Sequence, residues 1–145
     1  MNDTQIDRIV ENLVAIMPIF HRKLLRMDLG GVTGELTRLH LGFMASLRDG
    51  SMTASELARV SVMPKPQVTH LIDQLVESGI VERTPDKADR RVVNIALTEQ
   101  GHVMLEQLRR KVQEIIRKEL ADLTPQELAE MSAALETLRR IGARL

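Results

Sequence analysis

A strand pattern occurs in only one short stretch of this chain, and this restriction limits the possible folds more than any other feature. The segment Val92–Leu97 alternates apolar with polar or small side chains, a period of two that is typical of a strand. Ile80–Thr84 precedes it across a polar, charged loop, Pro85–Arg91, so the two segments predict a β-hairpin. Apolar side chains recur at helical spacing almost everywhere else. The sequence therefore predicts a mainly α-helical protein with one small β-hairpin.

The predicted helices have recognisable ends. Thr53–Glu56 forms a capping box, in which the hydroxyl and the carboxylate each satisfy a backbone amide at the helix start. Thr124–Glu127 repeats this pattern before the last helix, and Gly79 is placed to end the helix that precedes the hairpin. Pro18 lies inside the first helical pattern, Thr4–Arg26. We expect it to bend or break that helix because proline has no backbone N–H.

Composition excludes several classes of site. The 145 residues indicate a single domain and include no cysteine, which excludes disulfides, thiolate zinc sites and thiol redox sensing. No apolar run approaches the roughly 20 residues of a membrane span. Residues 1–7 carry no apolar signal-peptide core, so we expect a cytoplasmic protein with no membrane partner. The formal net charge is zero, which argues weakly against nucleic-acid binding unless basic residues are concentrated locally.

Such a local concentration occurs within residues 53–98, where the pattern is short helix, tight turn, second helix and hairpin. This order predicts a helix-turn-helix, whose second helix enters the major groove of DNA. No acidic residue occurs from Leu57 to Ile72, whereas Arg59 is basic, and the start of the second helix adds partial positive charge. Opposite its apolar face, the second helix carries side chains suited to base edges and phosphates: Lys65, Gln67, Thr69, His70 and Gln74.

The loop of the predicted hairpin is basic at its tip. Lys87, Arg90 and Arg91 lie there, and arginine is a recurrent ligand of the narrow, negatively charged minor groove. Asp86 and Asp89 flank these cations. Because a carboxylate is repelled by phosphate, we interpret Asp89 as an internal partner that holds Arg91 in place.

Several linked motifs in this region resemble the MarR family of winged helix-turn-helix transcription regulators. Asp86–Arg91 followed by Leu97–Gly101 looks like the family's wing signature, an Asp-x-Arg, a strand, and then Leu-Thr-x-x-Gly at the start of the next helix. Val68–Leu75 and Gly79–Arg83 resemble its recognition helix and first wing strand, and Thr53–Ala58 resembles the preceding helix. The flanking helices match in order and length, so the resemblance covers essentially the whole chain.

The resemblance implies a sequence-specific, DNA-binding transcription regulator, usually a repressor that a small molecule releases. It implies a homodimer on a pseudo-palindromic operator in double-stranded DNA, with residues 1–145 forming one MarR-type domain. Residues 37–98 are expected to form the winged helix-turn-helix, and residues 1–36 and 99–145 the helical dimerisation part. A small-molecule effector is expected to bind between these two parts.

By position, Arg91 matches the wing arginine of the family, and Asp89 matches its aspartate. The sequence departs from the family at His70, where arginine is frequent. It also departs at Pro64 and Pro66, which stiffen the entry to the second helix. The family's usual base preference is therefore not carried over to this chain.

Three sets of residues have competing interpretations. An apolar set could line an effector pocket but fits a hydrophobic core better: Phe20, Leu24, Leu39, Phe43 and Met44. A basic set fits solvent or a subunit interface better than a phosphate contact or a pocket wall: His21, Arg22, Lys23 and Arg26. His102 and Glu106 share a helical face at metal-ligand spacing, but no convincing third ligand accompanies them. We therefore expect neither metal nor cofactor, and interpret His21, His40 and His102 as structural or surface histidines.

Two other functions fit the sequence less well. A winged-helix dimer that binds another protein instead of DNA remains open because the net charge is zero. An enzyme is disfavoured, since the sequence offers no evident nucleophile and base pair, phosphate-binding loop or paired carboxylates.

Overall fold

The computed structural model describes residues 3–31 and 36–144, and within these ranges it contains six helices and a three-stranded sheet. The helices are α1 (Asp3–Arg26), α2 (Arg38–Ser46), α3 (Ala54–Ser61), α4 (Lys65–Glu77), α5 (Glu99–Leu120) and α6 (Pro125–Gly142). The strands are β1 (Met52–Thr53), β2 (Val81–Pro85) and β3 (Val93–Leu97). This arrangement confirms the predicted fold class. No helix in the described part of the chain is long and apolar enough to cross a membrane.

The chain divides into two compact units, Met1–Arg109 and Arg110–Leu145. The first unit contains α1 to α4, the sheet and the start of α5, whereas the second contains the rest of α5 and α6. The hydrophobic core lies in the first unit, where α3 packs against α2, α4 and the sheet. Its buried apolar side chains are Leu41, Phe43, Met44, Leu47, Leu57, Val68, Leu71, Ile72, Leu75, Ile80, Val81, Ile95, Leu97 and Leu108.

The five apolar residues interpreted as core or as an effector pocket include both buried and exposed side chains. The core interpretation is confirmed for Phe43 and Met44, which are fully buried. It is wrong for Phe20, Leu24 and Leu39, each of which keeps about half of its surface exposed in the single chain. Side chains from residues 41–108 already fill the core, so these three face outward.

The sheet has the strand order β1-β3-β2 and is antiparallel throughout. Val81 pairs with Leu97 and Pro85 with Val93, which confirms the predicted hairpin of β2 and β3. The sequence did not predict β1, which adds a third strand through the pairing of Met52 with β3. A strand of two residues is too short to show an alternating pattern.

The first helix, α1, runs without interruption through Pro18, so of the two predicted outcomes, a bend or a break, the break does not occur. Proline removes one N–H from the helix, and a helix of 24 residues continues on both sides of that missing bond. Its last turn is capped from α2 by Arg38, whose guanidinium donates to the carbonyls of Leu24 at 2.5 Å and Leu25 at 2.7 Å. A cation at this end also complements the helix dipole.

Both predicted capping boxes are formed. At α3, Thr53 N–H donates to the Glu56 carboxylate at 2.8 Å, and the Thr53 hydroxyl accepts from Glu56 N–H at 3.2 Å. At α6, Thr124 and Glu127 make the same pair of bonds at 2.8 and 3.3 Å. These reciprocal bonds fix where both helices begin.

The end of α4 and the start of α5 meet at one tightly packed junction. Gly79 ends α4 as predicted, with φ of +71°, and its carbonyl accepts from the Thr98 hydroxyl at 2.7 Å. The same hydroxyl accepts from Gly101 N–H at 3.1 Å and so caps α5. A Cβ on Gly101 would lie 2.2 Å from the Ile80 carbonyl oxygen, so only glycine fits. This contact is the physical reason for glycine in the Leu-Thr-x-x-Gly motif.

Candidate nucleic-acid interface

The helix α4 separates a buried face from an exposed polar face. Val68, Leu71, Ile72 and Leu75 hold one side of the helix in the core. All five side chains that the sequence predicted for DNA contact are exposed: Lys65, Gln67, Thr69, His70 and Gln74. The core therefore fixes the orientation of the helix and presents these side chains to solvent.

Two prolines shape the entry to α4. Pro64 is the N-cap residue, and its carbonyl accepts from Gln67 N–H at 3.0 Å and from Val68 N–H at 3.1 Å. Pro66 stands in the first turn and has no N–H. Lys65, Pro66 and Gln67 are the first three residues of α4. Because Pro66 has no N–H and the Gln67 N–H is already bonded, only the backbone N–H of Lys65 remains outside these bonds. The helix start offers an anion fewer donors than an ordinary helix would.

Thr69 and Gln74 on the exposed face of α4 each make a hydrogen bond within the chain. The Thr69 hydroxyl donates to the Lys65 carbonyl at 3.0 Å, which leaves its oxygen to accept a further bond. The Gln74 carboxamide oxygen lies 2.9 Å from Nε2 of His40 on α2. Gln74 therefore joins two helices as well as belonging to the exposed face.

Sequence reasoning did not identify His40 as part of this region. The ring is buried, with 6% of the residue exposed, and its Nδ1 lies 3.0 Å from Thr37 N and 2.8 Å from the Thr37 hydroxyl. His40 stands three residues after the N-cap Thr37, where glutamate or glutamine completes a capping box. That spacing is the sequence signal that would have indicated a structural role at the start of α2.

The loop between β2 and β3 is organised by Asp86, which sequence reasoning treated only as a flanking charge. Its carboxylate accepts from the Asn94 amide at 2.9 Å and from the backbone N–H groups of Ala88 at 2.9 Å and Asp89 at 3.2 Å. The Asn94 bond, followed by the two backbone bonds, holds the pKa of Asp86 below its ordinary value. An aspartate that bonds backbone amides two and three residues ahead is a recognisable turn signal.

Asp89 contacts Arg91 in the same loop. Its carboxylate accepts from Arg91 backbone N–H at 3.0 Å and from Arg91 Nε at 3.2 Å. The Arg91 side chain nevertheless remains 91% exposed. Lys87 and Arg90 are also exposed at this tip. Both carboxylates of the loop are thus engaged within it, while the cations extend into solvent.

The loop and α4 are joined within the first unit. Asp73 on α4 forms an ion pair with Arg83 on β2, and Ile80 and Val81 bury the connection between the helix and the strand. The predicted DNA-contact side chains of the helix and of the loop therefore stand on elements that share one core. This ion pair also neutralises an acidic side chain on the exposed part of α4.

The remaining candidate sites are less well formed. His102 and Glu106 line an open depression of about 450 Å³, together with Ala45, Arg48, Leu105 and Arg109. A second depression lies on α6. None of the five apolar side chains considered for an effector pocket lines either of these two. Within residues 3–31 and 36–144 no three histidine, aspartate or glutamate side chains are grouped as metal ligands. The basic set His21, Arg22, Lys23 and Arg26 is exposed on α1.

Comparison with known proteins gives consistent matches. The family model described as "MarR family" matches residues 47–93. The chain is 32% identical over 111 residues to the HTH-type transcriptional repressor MdtR of Bacillus subtilis, covering 70% of this chain and 71% of that one. It is 34% identical over 90 residues to the HTH-type transcriptional regulator YsmB of Bacillus subtilis. That match spans 62% of each chain, slightly less than two thirds.

A solved structure agrees with these sequence matches. The crystal structure of wild-type MarR from Escherichia coli in its apo form superposes with a TM-score of 0.72 and 27% identity. The superposition covers 87% of this chain and 96% of that one. The wing and helix motifs quoted from the sequence occupy the elements described above. The chain belongs to the MarR family of winged helix-turn-helix transcription regulators, which are DNA-binding proteins and not enzymes.

Proposed function

We propose that the chain is a homodimeric, cytoplasmic repressor that binds a pseudo-palindromic operator in double-stranded DNA and is released by a small-molecule effector. In each subunit α4 enters the major groove, and the loop between β2 and β3 reaches the adjacent minor groove. The observation that carries this proposal is the division of charge in that loop. Asp86 and Asp89 are bonded inside it, and the cations extend outward.

The proposed DNA contacts are divided between two elements. On α4, Lys65, Gln67, Thr69, His70 and Gln74 face base edges and phosphates. In the loop, Lys87, Arg90 and Arg91 face the backbone and the minor groove, with Asp89 orienting Arg91. The Asp89 carboxylate accepts hydrogen bonds from both the backbone N–H and the side-chain Nε of Arg91, which supports this orienting role because the bonds restrict the directions that the guanidinium can take.

Dimerisation is supported by apolar faces that the single chain leaves exposed. We assign residues 37–98 to DNA binding, and residues 1–36 and 99–145 to dimerisation. On α1 the exposed apolar side chains include Ile6, Ile9, Val10, Leu13, Ile16 and Met17, and on α6 they include Leu128, Leu135, Leu138 and Ile141. Exposed apolar faces of this extent are typical of subunit interfaces.

An effector site near the end of α1 is part of the same proposal. Phe20, Leu24 and Leu39 are half exposed and offer apolar surface to a small ligand. Phe43 and Met44 are buried in the core, so a ligand that reaches them must displace other side chains. Substitutions that test this site should therefore begin with the three exposed residues.

Replacement of Arg91 tests DNA binding. We expect Arg91→Ala to bind a duplex selected by the wild-type protein at least about tenfold more weakly, because a groove contact is lost. Wild-type affinity should also fall steeply with added salt as counterions are released, and the variant should show a slope smaller by about one. Fluorescence anisotropy at a series of salt concentrations measures both quantities.

The matched control is Arg117→Ala, which removes an exposed arginine of α5 outside residues 37–98. It should bind the selected duplex as the wild type does. Binding that is insensitive to salt and to Arg91 would contradict the proposal. Failure to select or bind any duplex would favour the alternative of a winged-helix protein that docks another protein, an alternative that zero net charge supports.

A further inference from the structure

We propose that His40 holds the carboxamide oxygen of Gln74 on α4, so that Gln74 presents its amide hydrogens to acceptor atoms of the operator and discriminates against adenine. The inference rests on the proposed function, because it concerns how α4 reads DNA. His40 is a positioning residue in this account and does not itself touch DNA.

The direction of the hydrogen bonds follows from a backbone group. The N–H of Thr37 can only donate, so Nδ1 of His40, 3.0 Å away, must accept and carries no hydrogen. A neutral imidazole then carries its hydrogen on Nε2 and donates from there. Nε2 lies 2.9 Å from Gln74, which must present its carboxamide oxygen to accept this bond. Both hydrogens of the Gln74 amide nitrogen remain outside it.

Gln74 belongs to the line of α4 that carries two other predicted contacts. Gln67, His70 and Gln74 stand three and four residues apart, a spacing that places side chains one above the other on a helix. All three residues are exposed. Gln74 therefore continues the polar line of α4, while its oxygen is held on the side of α2.

The donors and acceptors that each base presents in the major groove decide which base Gln74 can bind. A glutamine that can turn freely binds adenine through one donor and one acceptor, at N7 and at the N6 amino group. The Gln74 oxygen cannot turn towards the DNA without breaking its bond to His40, so the groups that Gln74 presents are its two amide hydrogens. Among the bases, guanine alone presents two neighbouring acceptors in the major groove, O6 and N7, whereas adenine presents only N7 and thymine only O4. The oxygens of a phosphate are the other acceptors that two donors match. Adenine, which needs an acceptor opposite its amino group, is disfavoured.

Two substitutions of His40 separate its two contacts. His40→Gln has the reach to place an amide donor near the Nε2 position and preserve the bond to Gln74. The shorter His40→Asn can satisfy only Thr37 and leaves the Gln74 amide free to turn. Gln74→Ala identifies the position in DNA at which Gln74 acts. The probe is a duplex that the wild-type protein selects from a random-sequence library, tested with single-base substitutions and with single neutral methylphosphonate linkages.

If Gln74 contacts a base, the wild type and His40→Gln should bind a duplex with guanine at that base position about tenfold more tightly than one with adenine there. His40→Asn should reduce this ratio to about two. For a phosphate contact, one methylphosphonate should weaken the wild type and His40→Gln about tenfold, and His40→Asn and Gln74→Ala much less. Either pattern supports the inference and identifies the source of the acceptor. Thermal melting compares the folding of the variants.

Three results would overturn the inference while the proposed function stands. Gln74→Ala could bind every duplex as the wild type does, which would make Gln74 only a tie between α2 and α4. The wild type could prefer adenine at the Gln74 position. Nitrogen-15 NMR of the histidine rings could place the His40 hydrogen on Nδ1, a readout that remains decisive if His40→Asn fails to fold. If the wild type selects no duplex at all, the proposed function fails together with the inference.

Discussion

Val62 adopts a backbone conformation that β-branched residues rarely take. It lies in the turn between α3 and α4 with φ of +54° and ψ of +40°, in the left-handed region. The residue is 89% exposed, so packing contributes little to holding it there. For residues other than glycine this conformation costs roughly 1–2 kcal/mol. The strain lies in the turn that connects the two helices of the DNA-binding motif.

We expect Val62→Gly to raise the free energy of unfolding by about 0.5–1 kcal/mol. Glycine relieves the strain, but its greater freedom in the unfolded chain offsets roughly 0.4–1 kcal/mol of the gain. Urea unfolding at equal protein concentration measures the difference. Val60→Gly is the control, because Val60 is an exposed residue inside α3 where glycine should lower stability. A lower stability of Val62→Gly than of the wild type would contradict the prediction.

At the scale of residues, the sequence predicted which side chains are exposed better than which side chains meet. The period of α4 was enough to separate its polar from its apolar face. The bond between His40 and Gln74 joins residues 34 positions apart, and the contacts of Arg38 with α1 span up to 14 positions. Such contacts depend on how helices pack, which helical periodicity does not specify.

The wing formed by β2, β3 and their loop is an element held by its own hydrogen bonds. Asp86 accepts from the loop backbone and from Asn94 on β3, so one carboxylate connects the turn to the strand. These bonds favour the ionised form of Asp86 and lower its pKa. Because the pKa is lower in the folded than in the unfolded chain, the stabilisation is complete above the unfolded value and is lost as the pH falls through the folded value.

The wing should therefore stay ordered at neutral pH and loosen only in acid. We expect the Asp86 carboxyl to titrate below the reference value of about 3.9 for aspartate. The Ala88 and Asp89 amide signals should shift with the same midpoint, as two-dimensional NMR can follow. Asn94→Ala removes the principal donor and should move the midpoint upward. A wild-type midpoint at or above the reference value, or one unchanged in Asn94→Ala, would refute this account of the wing.

At the scale of elements, local sequence chemistry was sufficient for most boundaries. The capping boxes of α3 and α6 and the glycine that ends α4 are encoded within four or five residues, so they could be predicted. The strand β1 could not, because its two residues pair with β3 and have no pattern of their own. The sequence also left open whether Pro18 bends or breaks α1, because helical turns on both sides of a proline can keep a helix continuous despite one lost bond.

At the scale of the whole molecule, the buried apolar side chains are concentrated in one of the two units. All of the core side chains given above lie between residues 41 and 108, in the first unit. The helix α6 has no buried residue and exposes an apolar stripe that includes Leu135 and Leu138. The helix α1 of the first unit exposes a similar apolar face, which includes Ile6 and Ile9, so each unit taken by itself exposes apolar surface.

We expect Leu138→Glu to shift the protein from dimer towards monomer. A charge in an apolar interface is desolvated without a partner, which disfavours association. Analytical ultracentrifugation should give twice the 16.3 kDa chain mass for the wild type and a lower average mass for the variant. Ala133→Glu, an exposed position away from the stripe on α6, should remain dimeric. A variant that is as dimeric as the wild type would place the interface elsewhere.

The family could be recognised from the sequence because its motifs are local and closely spaced. The sequence could not show which apolar faces are exposed in the single chain and which belong to its core. Periodicity identifies an apolar stripe but does not say whether the same chain or a second copy covers it. For this reason Phe20, Leu24 and Leu39 were interpreted as core, while the structure leaves them half exposed.

The contact between Gly101 and the Ile80 carbonyl has a mechanical consequence. There is no room for even one methyl group between Gly101 in the first turn of α5 and the carbonyl of Ile80, three residues beyond the end of α4, and the Thr98 hydroxyl bonds the same connection. The close contact restricts sliding of the start of α5 against the segment that links α4 to β2. We therefore expect a displacement at the start of α5 to reach the end of α4, the helix that we propose to enter the major groove.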